Sequence, residues 1–298
     1  MNINPILKRE LKVQSRGYTL LGLICGIDSA LFLISVLGSL AVISRMRQDY
    51  HADYGSLLMI FVLVSMFAFL LILLICPSLT AGSIAGERRS KTLDLLLATR
   101  LSPVSIVTGK LLSAFSVVQI LIITSVPALM VPLMYGGAGL PEILLTAVGL
   151  SCAAFMLLCM GLFVSSAVRS PQRATALSYV LLIGLCAGTV LPGLLFAPFY
   201  GGGHQNAAAL ALLLNPIVTM ASVIFRAVSG AELIALIYGR LGLSLSEGMR
   251  NSYILIALLL ELLLGFMFLF ASVVNISPKK RKQKINSAFA IEKNEAPM

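Results

Sequence analysis

Long runs of hydrophobic residues alternate with short polar segments along the whole chain. Six of these runs reach the roughly 20 residues that a helix needs to cross a bilayer. Their approximate bounds are 17–43, 56–82, 110–133, 142–166, 175–195 and 251–275. The pattern therefore predicts an all-α, polytopic membrane protein with six transmembrane helices.

The N-terminal segment has a different pattern, in which apolar and basic residues are separated at helical spacing. One arc carries Ile3, Ile6, Leu7 and Leu11, and the opposite arc carries Lys8, Arg9, Lys12 and Arg16. Such a helix lies in the membrane interface with its basic face toward the lipid head groups. We therefore divide the chain into an amphipathic interface helix (1–16), a six-span transmembrane domain (17–275) and a basic tail (276–298).

The segment before the last span, residues 196–250, is apolar in part but is not predicted to cross the membrane. Its most hydrophobic portion contains Asn215-Pro216 and Arg226. A seventh crossing would also place the basic stretch PKKRKQK, residues 278–284, on the outer side of the membrane. We predict instead short outer-leaflet or re-entrant helices, interrupted by glycines.

The distribution of charge indicates how the chain is oriented. Only 11% of the residues are charged, against roughly 25% in soluble domains. With the N-terminus inside, the cytoplasmic segments hold 17 of the 22 Lys and Arg residues and the outer segments hold five. Basic residues favour the cytoplasmic side. We therefore expect a multi-pass protein of the cell membrane with cytoplasmic N- and C-termini.

Composition also argues against several kinds of site. All five cysteines lie in apolar runs and form no CxxC pair, so neither a disulfide framework nor a zinc site is indicated. A stripe of Cys and Met in the fourth span is interpreted as core packing rather than as a copper site. No Lys/Arg surface with interleaved aromatic residues occurs, so no nucleic-acid partner is predicted. No metal is predicted for the chain either.

The most charged internal segment is GERRSKTLDLLLATRLSP, Gly86 to Pro103. Read as a helix, it pairs Glu87 with Lys91, and Lys91 with Asp94, on one face, while leucines form another face. The Ser-Pro pair at 102–103 is predicted to cap and begin the following helix. Because this polar hairpin joins two spans, a soluble partner can reach it.

The string AGERRSKTLDLLLATRLSPVSIVTGK resembles the region after the second span in permeases of the ABC-2 type exporter family. That family pattern reads Glu-Arg, then Gly-Thr-Leu-Glu, a run of leucines and Thr-Pro-Leu-Ser. The positions that match it are Glu87, Arg88, Thr92, Leu93, Asp94 (for the acidic residue), Leu95, Leu96, Leu97, Thr99, Leu101 and Ser102. Lys91 stands at the usual Gly, and Arg100 at the usual Pro. The stretch from Gly161 to Val180 also resembles the family's turn between spans four and five.

The resemblance implies the permease subunit of an ATP-driven exporter, with no catalytic residue and no cofactor of its own. ATP and Mg²⁺ would bind to separate ATP-binding subunits, and a second permease subunit would complete a homo- or heterodimer. The ATP-binding subunits would dock at a coupling helix, about 83–103, and at the turn between spans four and five. The residues implied are Glu87, Arg88, Arg89, Thr92, Leu93, Asp94, Leu96, Leu97, Arg169, Ser170, Pro171 and Arg173.

Two carboxylates lie well inside the apolar runs, Asp28 and Glu261. An ionised carboxylate is costly there, so each is expected to be protonated or hydrogen-bonded. They either contact substrate or couple protons, or they link helices as neutral polar groups. Two other functions stay open: a subunit that transmits mechanical work from an ATPase to an outer partner, and a secondary transporter or intramembrane enzyme that uses these carboxylates.

Overall fold

The computed structural model describes residues 5–15, 18–49, 54–93, 102–134, 139–195, 212–233, 236–237 and 247–277. These residues form eight helices of at least 11 residues, and no strand occurs among them. The helices are α1 (Pro5–Ser15), α2 (Tyr18–Asp49), α3 (Tyr54–Arg89), α4 (Pro103–Leu133), α5 (Leu140–Ala167), α6 (Pro171–Leu195), α7 (Pro216–Ser229) and α8 (Glu247–Ile276). The predicted all-α fold is confirmed.

Six of the helices, α2 to α6 and α8, are long and apolar enough to cross a membrane. The predicted number of spans is therefore confirmed, but all six helices are longer than the predicted runs, α3 and α4 by the most. Helix α3 runs to Arg89 rather than residue 82, and α4 begins at Pro103 rather than residue 110. At 1.5 Å per residue, the 36 residues of α3 extend for about 54 Å. The helix therefore projects beyond a hydrocarbon core of about 30 Å.

Helix α5 is the centre of the bundle, because α3 and α8 both pack along it. Five consecutive residues of α5, from Met156 to Met160, are fully buried, so the helix has no exposed face there. Met156, Cys159 and Met160 of the stripe seen in the sequence lie in this hydrophobic core, whereas Cys152 is half-buried at its edge. Their apolar environment agrees with core packing.

The helix ends meet in two groups, and we name the two groups the basic end and the far end. The basic end contains α1, the last turns of α3, α5 and α8, and the first turns of α2, α4 and α6. The far end contains the last turns of α2, α4 and α6 and the first turns of α3, α5 and α8. Side-chain hydrogen bonds hold the basic end together: Asn275 donates to the Ser166 hydroxyl at 3.1 Å, and Arg88 donates to the Ser166 carbonyl at 2.9 Å. Its cations include Arg9, Arg88, Arg89, Lys110, Arg169 and Arg173.

Helix α7 comes from the segment that was predicted to hold short helices. Its N-cap is Asn215, whose side-chain oxygen accepts from the amides of Ile217 and Val218, while its Nδ2 donates to the Cys186 carbonyl in α6. A Cβ on Gly149 would meet the Met220 sulfur at 3.3 Å, so α7 touches α5 about 14 Å below the far-end terminus of that helix. Helix α7 therefore enters the bundle from the far end without crossing it.

Candidate functional site at the basic end

The sequence suggested a helix through the charged segment from Gly86 to Pro103. In the structure, helix α3 ends within that segment, at Arg89. Lys91 has a φ of 58°, which breaks the helix after Arg89 and puts Thr92 and Leu93 into a new helical turn. The Ser90 hydroxyl donates to the Gly86 carbonyl, which also accepts from the Ser90 amide, and the Thr92 hydroxyl donates to the Glu87 carbonyl. The predicted helical pairing of Glu87 with Lys91 is therefore wrong, and Glu87 finds other partners.

The positive φ explains why the family pattern carries glycine where this chain has Lys91. A left-handed conformation costs a side-chain-bearing residue roughly 1 kcal/mol or more, and glycine avoids that cost. We expect Lys91→Gly to raise the free energy of unfolding by up to about 1 kcal/mol. Arg89→Gly removes the same charge from a helical position and should lower it by up to about 1 kcal/mol.

Thermal unfolding of the two purified variants in detergent, followed by size-exclusion chromatography after heating, measures this difference. Both variants lose one cation at the same helix end, so the comparison isolates the backbone effect. A lower midpoint for Lys91→Gly than for the wild type would contradict the strain at this position.

A closed network of four charges joins three elements of the basic end. The Nζ of Lys110 in α4 lies 2.9 Å from the Oε1 of Glu87 in α3 and 3.2 Å from the Oε1 of Glu10 in α1. A guanidinium nitrogen of Arg9 lies 3.0 Å from each of the same two oxygens. Lys110 is only 6% exposed and Glu87 14%. Little water reaches these two groups, so the contacts are stronger than surface ion pairs.

The electrostatics of Glu10 agree with this geometry. Burial by itself would raise the pKa of the Glu10 carboxyl, but the nearby Lys110 and Arg9 charges outweigh burial and hold the pKa below its ordinary value of 4.5. The ionised carboxyl is thus favoured in the folded state. Glu10 therefore contributes stability at neutral pH, and that contribution is lost as the pH falls through its lowered pKa.

Arg88 links α3 to the end of α5. Its guanidinium donates to the carbonyls of Ser166 at 2.9 Å and of Val168 at 3.4 Å. These carbonyls belong to the C-terminus of α5, where the helix leaves acceptors free and where a cation is favoured. Just below, the Ser165 hydroxyl accepts from the amides of Ile84 and Ala85, both at 3.0 Å. The end of α3 is thereby fixed to the turn that connects α5 with α6.

The structure divides the residues implied in docking into three groups. Those with exposed side chains are Arg89, Thr92, Arg169 and Arg173. Those that are partly buried are Glu87, Arg88, Ser170 and Pro171, while Leu93 is buried in the core at 4% exposure. Asp94, Leu96 and Leu97 lie outside the described residues. An approaching partner would therefore meet mainly cations.

Sequence reasoning did not find Arg9, Glu10 and Lys110 as members of this site. Lys110 was placed at the start of a span, and Arg9 on the face of α1 that was expected to contact lipid head groups. Their partners are up to 100 residues away in the chain, so no local spacing connects them. A Lys eight residues into a helix that begins at Pro103 is the one feature that could have prompted a search for buried carboxylates.

The two carboxylates of the apolar runs lie in separate environments. Glu261 in α8 is 1% exposed, and Thr219 of α7 lies near its carboxyl, although the Thr219 hydroxyl itself donates to the Asn215 carbonyl at 3.1 Å. Asp28 in α2 is half-buried. One carboxylate oxygen of each, Oε1 and Oδ1, is buried without a hydrogen-bond partner among the described residues. No contact found in the described part of the chain brings the two acids together.

The long helices, the short inserted helix before the last span and the charged junction together define a polytopic membrane protein. A family described as "ABC-2 family transporter protein" matches residues 38–276. This chain belongs to that family, since the match covers most of its length. No curated protein matches the chain. Membership makes it a membrane component of an ABC-type transporter, and implies association with an ABC ATP-binding subunit.

Proposed function

We propose that this chain is the permease subunit of an ATP-driven exporter, in which separate subunits bind ATP and Mg²⁺ and hydrolyse ATP. The basic end would face the cytoplasm, in keeping with the excess of Lys and Arg in its loops. The chain would work as a pair of permease subunits, identical or related, in the cell membrane. Substrate would leave through the bundle toward the far end.

The observation that supports this proposal best is how firmly the charged junction is joined to the spans. The four-charge network fixes α1, α3 and α4 to one another, and Arg88 fixes α3 to the end of α5. Helix α3 then extends as one helix from Arg89 to Tyr54, with Pro77 inside it. A displacement imposed at the junction would therefore be carried along about 54 Å of helix, as rigid-body switching requires.

The proposed docking surface consists of the exposed side chains Arg89, Thr92, Arg169 and Arg173, which border the end of α3 and the turn between α5 and α6. Three of them carry a positive charge. The complementary surface on the ATP-binding subunit would carry carboxylates, because complementary charge speeds and directs association. Glu87 and Leu93 would support this surface from within, since both are largely covered by the chain itself.

Replacing Arg169 and Arg173 by Glu tests the proposal. Like charges would then face the partner, so we expect association with the co-expressed ATP-binding subunit to weaken by at least about tenfold. Co-purification through a tag on the permease measures the loss. Arg45→Glu is the matched control, because Arg45 is exposed at the far end and should leave association unchanged.

Two results would contradict the proposal. One is normal co-purification of the ATP-binding subunit with the Arg169→Glu, Arg173→Glu variant. The other is labelling of a cysteine introduced at Arg169 by a membrane-impermeant reagent applied from outside the cell. The cargo can be identified separately. Inverted vesicles that hold the wild-type permease with its ATP-binding subunit can be tested for ATP-dependent uptake of candidate substrates.

A further inference from the structure

A lateral groove runs between α5, α7 and α8 at the far end of the bundle. Its volume is about 720 Å³, which lies within the range of small-molecule sites. Its walls are mainly aliphatic and come from two spanning helices: Leu145, Val148, Leu255, Leu258, Leu259 and Leu262. Several of these side chains are largely exposed, Val148 at 51% and Leu255 at 63%, so the groove opens toward the surroundings of the bundle.

The length of the groove matches one leaflet of a bilayer. Along α5 it extends from Pro141 to Cys152, and along α8 from Ser252 to Leu262. At 1.5 Å per residue, these distances are about 16 Å and 15 Å. Half of a hydrocarbon core of about 30 Å is about 15 Å. An extended acyl chain that entered beside the helix termini would therefore lie in the groove along its whole length.

The mouth of the groove carries charges of both signs. Arg226, near the end of α7, is 47% exposed and has a guanidinium nitrogen 2.9 Å from the Glu232 carboxylate. A guanidinium has five N–H donors, so it keeps donors for a second acceptor. On the other side lies Glu142, one of whose oxygens accepts from the Gly139 amide at 2.8 Å. Among the side chains that the structure describes, the mouth thus holds one cation and two carboxylates.

We propose that this groove binds a phospholipid whose head group is zwitterionic and carries an ammonium, as in phosphatidylethanolamine. One acyl chain lies against the leucines of α5 and α8. The lipid phosphate accepts from Arg226, and its ammonium lies near Glu142. The two carboxylates disfavour an anionic head group without an ammonium, such as phosphatidylglycerol, because one cation cannot balance them together with a phosphate.

The inserted helix α7 makes this site possible. Ala227 and Gly230 at its end form one side of the mouth, and Gly230 ends the helix with a φ of 64° that favours glycine. Without α7, the surface between α5 and α8 would be open to lipid along its full width. With it, the surface becomes a groove with a polar rim.

Native mass spectrometry of the purified chain, titrated with dipalmitoyl phosphatidylethanolamine or dipalmitoyl phosphatidylglycerol, tests the proposal. We expect the wild type to retain one phosphatidylethanolamine at least about tenfold more strongly than phosphatidylglycerol, about the effect of one charge-assisted contact. Val148→Trp should fill the groove and abolish retention. Leu33→Trp is the matched control, since Leu33 is 60% exposed on α2 and lies outside the groove.

Glu142→Gln separates head-group selection from apolar binding. The amide oxygen can still accept from the Gly139 amide, so α5 keeps its N-terminus, but the negative charge is gone. We expect retention of both lipids with a ratio near one. Equal retention of the two lipids by the wild type, or retention by Val148→Trp, would overturn the proposal. The proposal would also be overturned if the wild type bound neither lipid and formed dimers, and if Val148→Trp disrupted those dimers.

Discussion

Replacing Gly161 by alanine is expected to lower the free energy of unfolding by about 2 kcal/mol, and leucine at this position should prevent folding. Gly161 lies in α5 where α3 passes closest. An added Cβ would overlap the Thr80 hydroxyl and lie 3.3 Å from the Pro77 carbonyl oxygen. The Thr80 hydroxyl has little freedom to move, since it donates to the Cys76 carbonyl at 3.2 Å.

The close approach explains why a glycine occupies the most buried helix. Helices in a membrane associate through van der Waals packing rather than through the hydrophobic effect, so small residues at a crossing bring the backbones together. Pro77 contributes as well, because proline opens the backbone hydrogen bonding of α3 at this level. A larger residue at Gly161 would separate α3 from α5 and disturb the contacts of Arg88 and Ser165 at the basic end.

Two comparisons make this expectation specific. Gly184→Ala, in α6, introduces a methyl group that meets no heavy atom within 4 Å and should leave stability equal or slightly higher, since alanine favours the helix. Thr80→Ala combined with Gly161→Ala removes the overlapping hydroxyl and should recover part of the loss. The midpoint of heat-induced aggregation in detergent measures all three. Equal midpoints for Gly161→Ala and Gly184→Ala would rule out the steric explanation.

The spans could be predicted from sequence because hydrocarbon imposes one requirement on every residue of a crossing helix. Each run had to be apolar for about 20 residues, and six runs met this condition. Ser102 and Pro103 were predicted correctly for a similar reason: capping depends on neighbours in the chain, and the Ser105 amide does donate to the Ser102 hydroxyl at 3.2 Å. Both signals are local.

The ends of the spans and the partners of their charges could not be predicted in the same way. Hydropathy falls at Gly86, yet α3 continues to Arg89, because contacts with α1, α4 and α5 stabilise its polar end. Charges were paired within one helix at spacings of three and four, whereas Glu87 pairs with Arg9 and Lys110. The break at Lys91 had one indication in the sequence, which was the glycine of the family pattern at that position.

The charge network at the basic end leads to the second large effect. Lys110→Met is expected to lower the free energy of unfolding by about 3 kcal/mol, because it leaves the partly buried carboxylates of Glu87 and Glu10 with only the half-exposed Arg9. Lys110→Arg keeps a cation and should cost less than about 1 kcal/mol. If both carboxylates stay paired in another way, the two variants will unfold at the same temperature.

Removing the Glu87 carboxylate together with the Lys110 cation shows whether Lys110→Met is destabilised by an unpaired carboxylate or by lost packing. Lys110→Met combined with Glu87→Met replaces a buried ion pair by two apolar side chains of similar length, which is often neutral. The double variant should therefore be more stable than Lys110→Met alone. The double-mutant cycle gives the coupling energy directly, and a coupling near zero would mean that the two side chains act independently.

The same network predicts how stability depends on pH. The pKa of Glu10 in the folded chain lies below its ordinary value of 4.5 because Lys110 and Arg9 outweigh its burial. Its contribution is complete above about pH 4.5 and disappears as the pH falls through the lowered pKa. In Lys110→Met the main positive charge near Glu10 is absent, so the variant should lose less stability than the wild type when the pH is lowered from about 5 to about 3.

Trypsin cleavage within α1 should also be faster in Lys110→Met at neutral pH, since α1 loses its connection to α4. Unchanged cleavage and an unchanged acid transition would show that α1 is held by its apolar side chains, such as the buried Ile6, and not by charge.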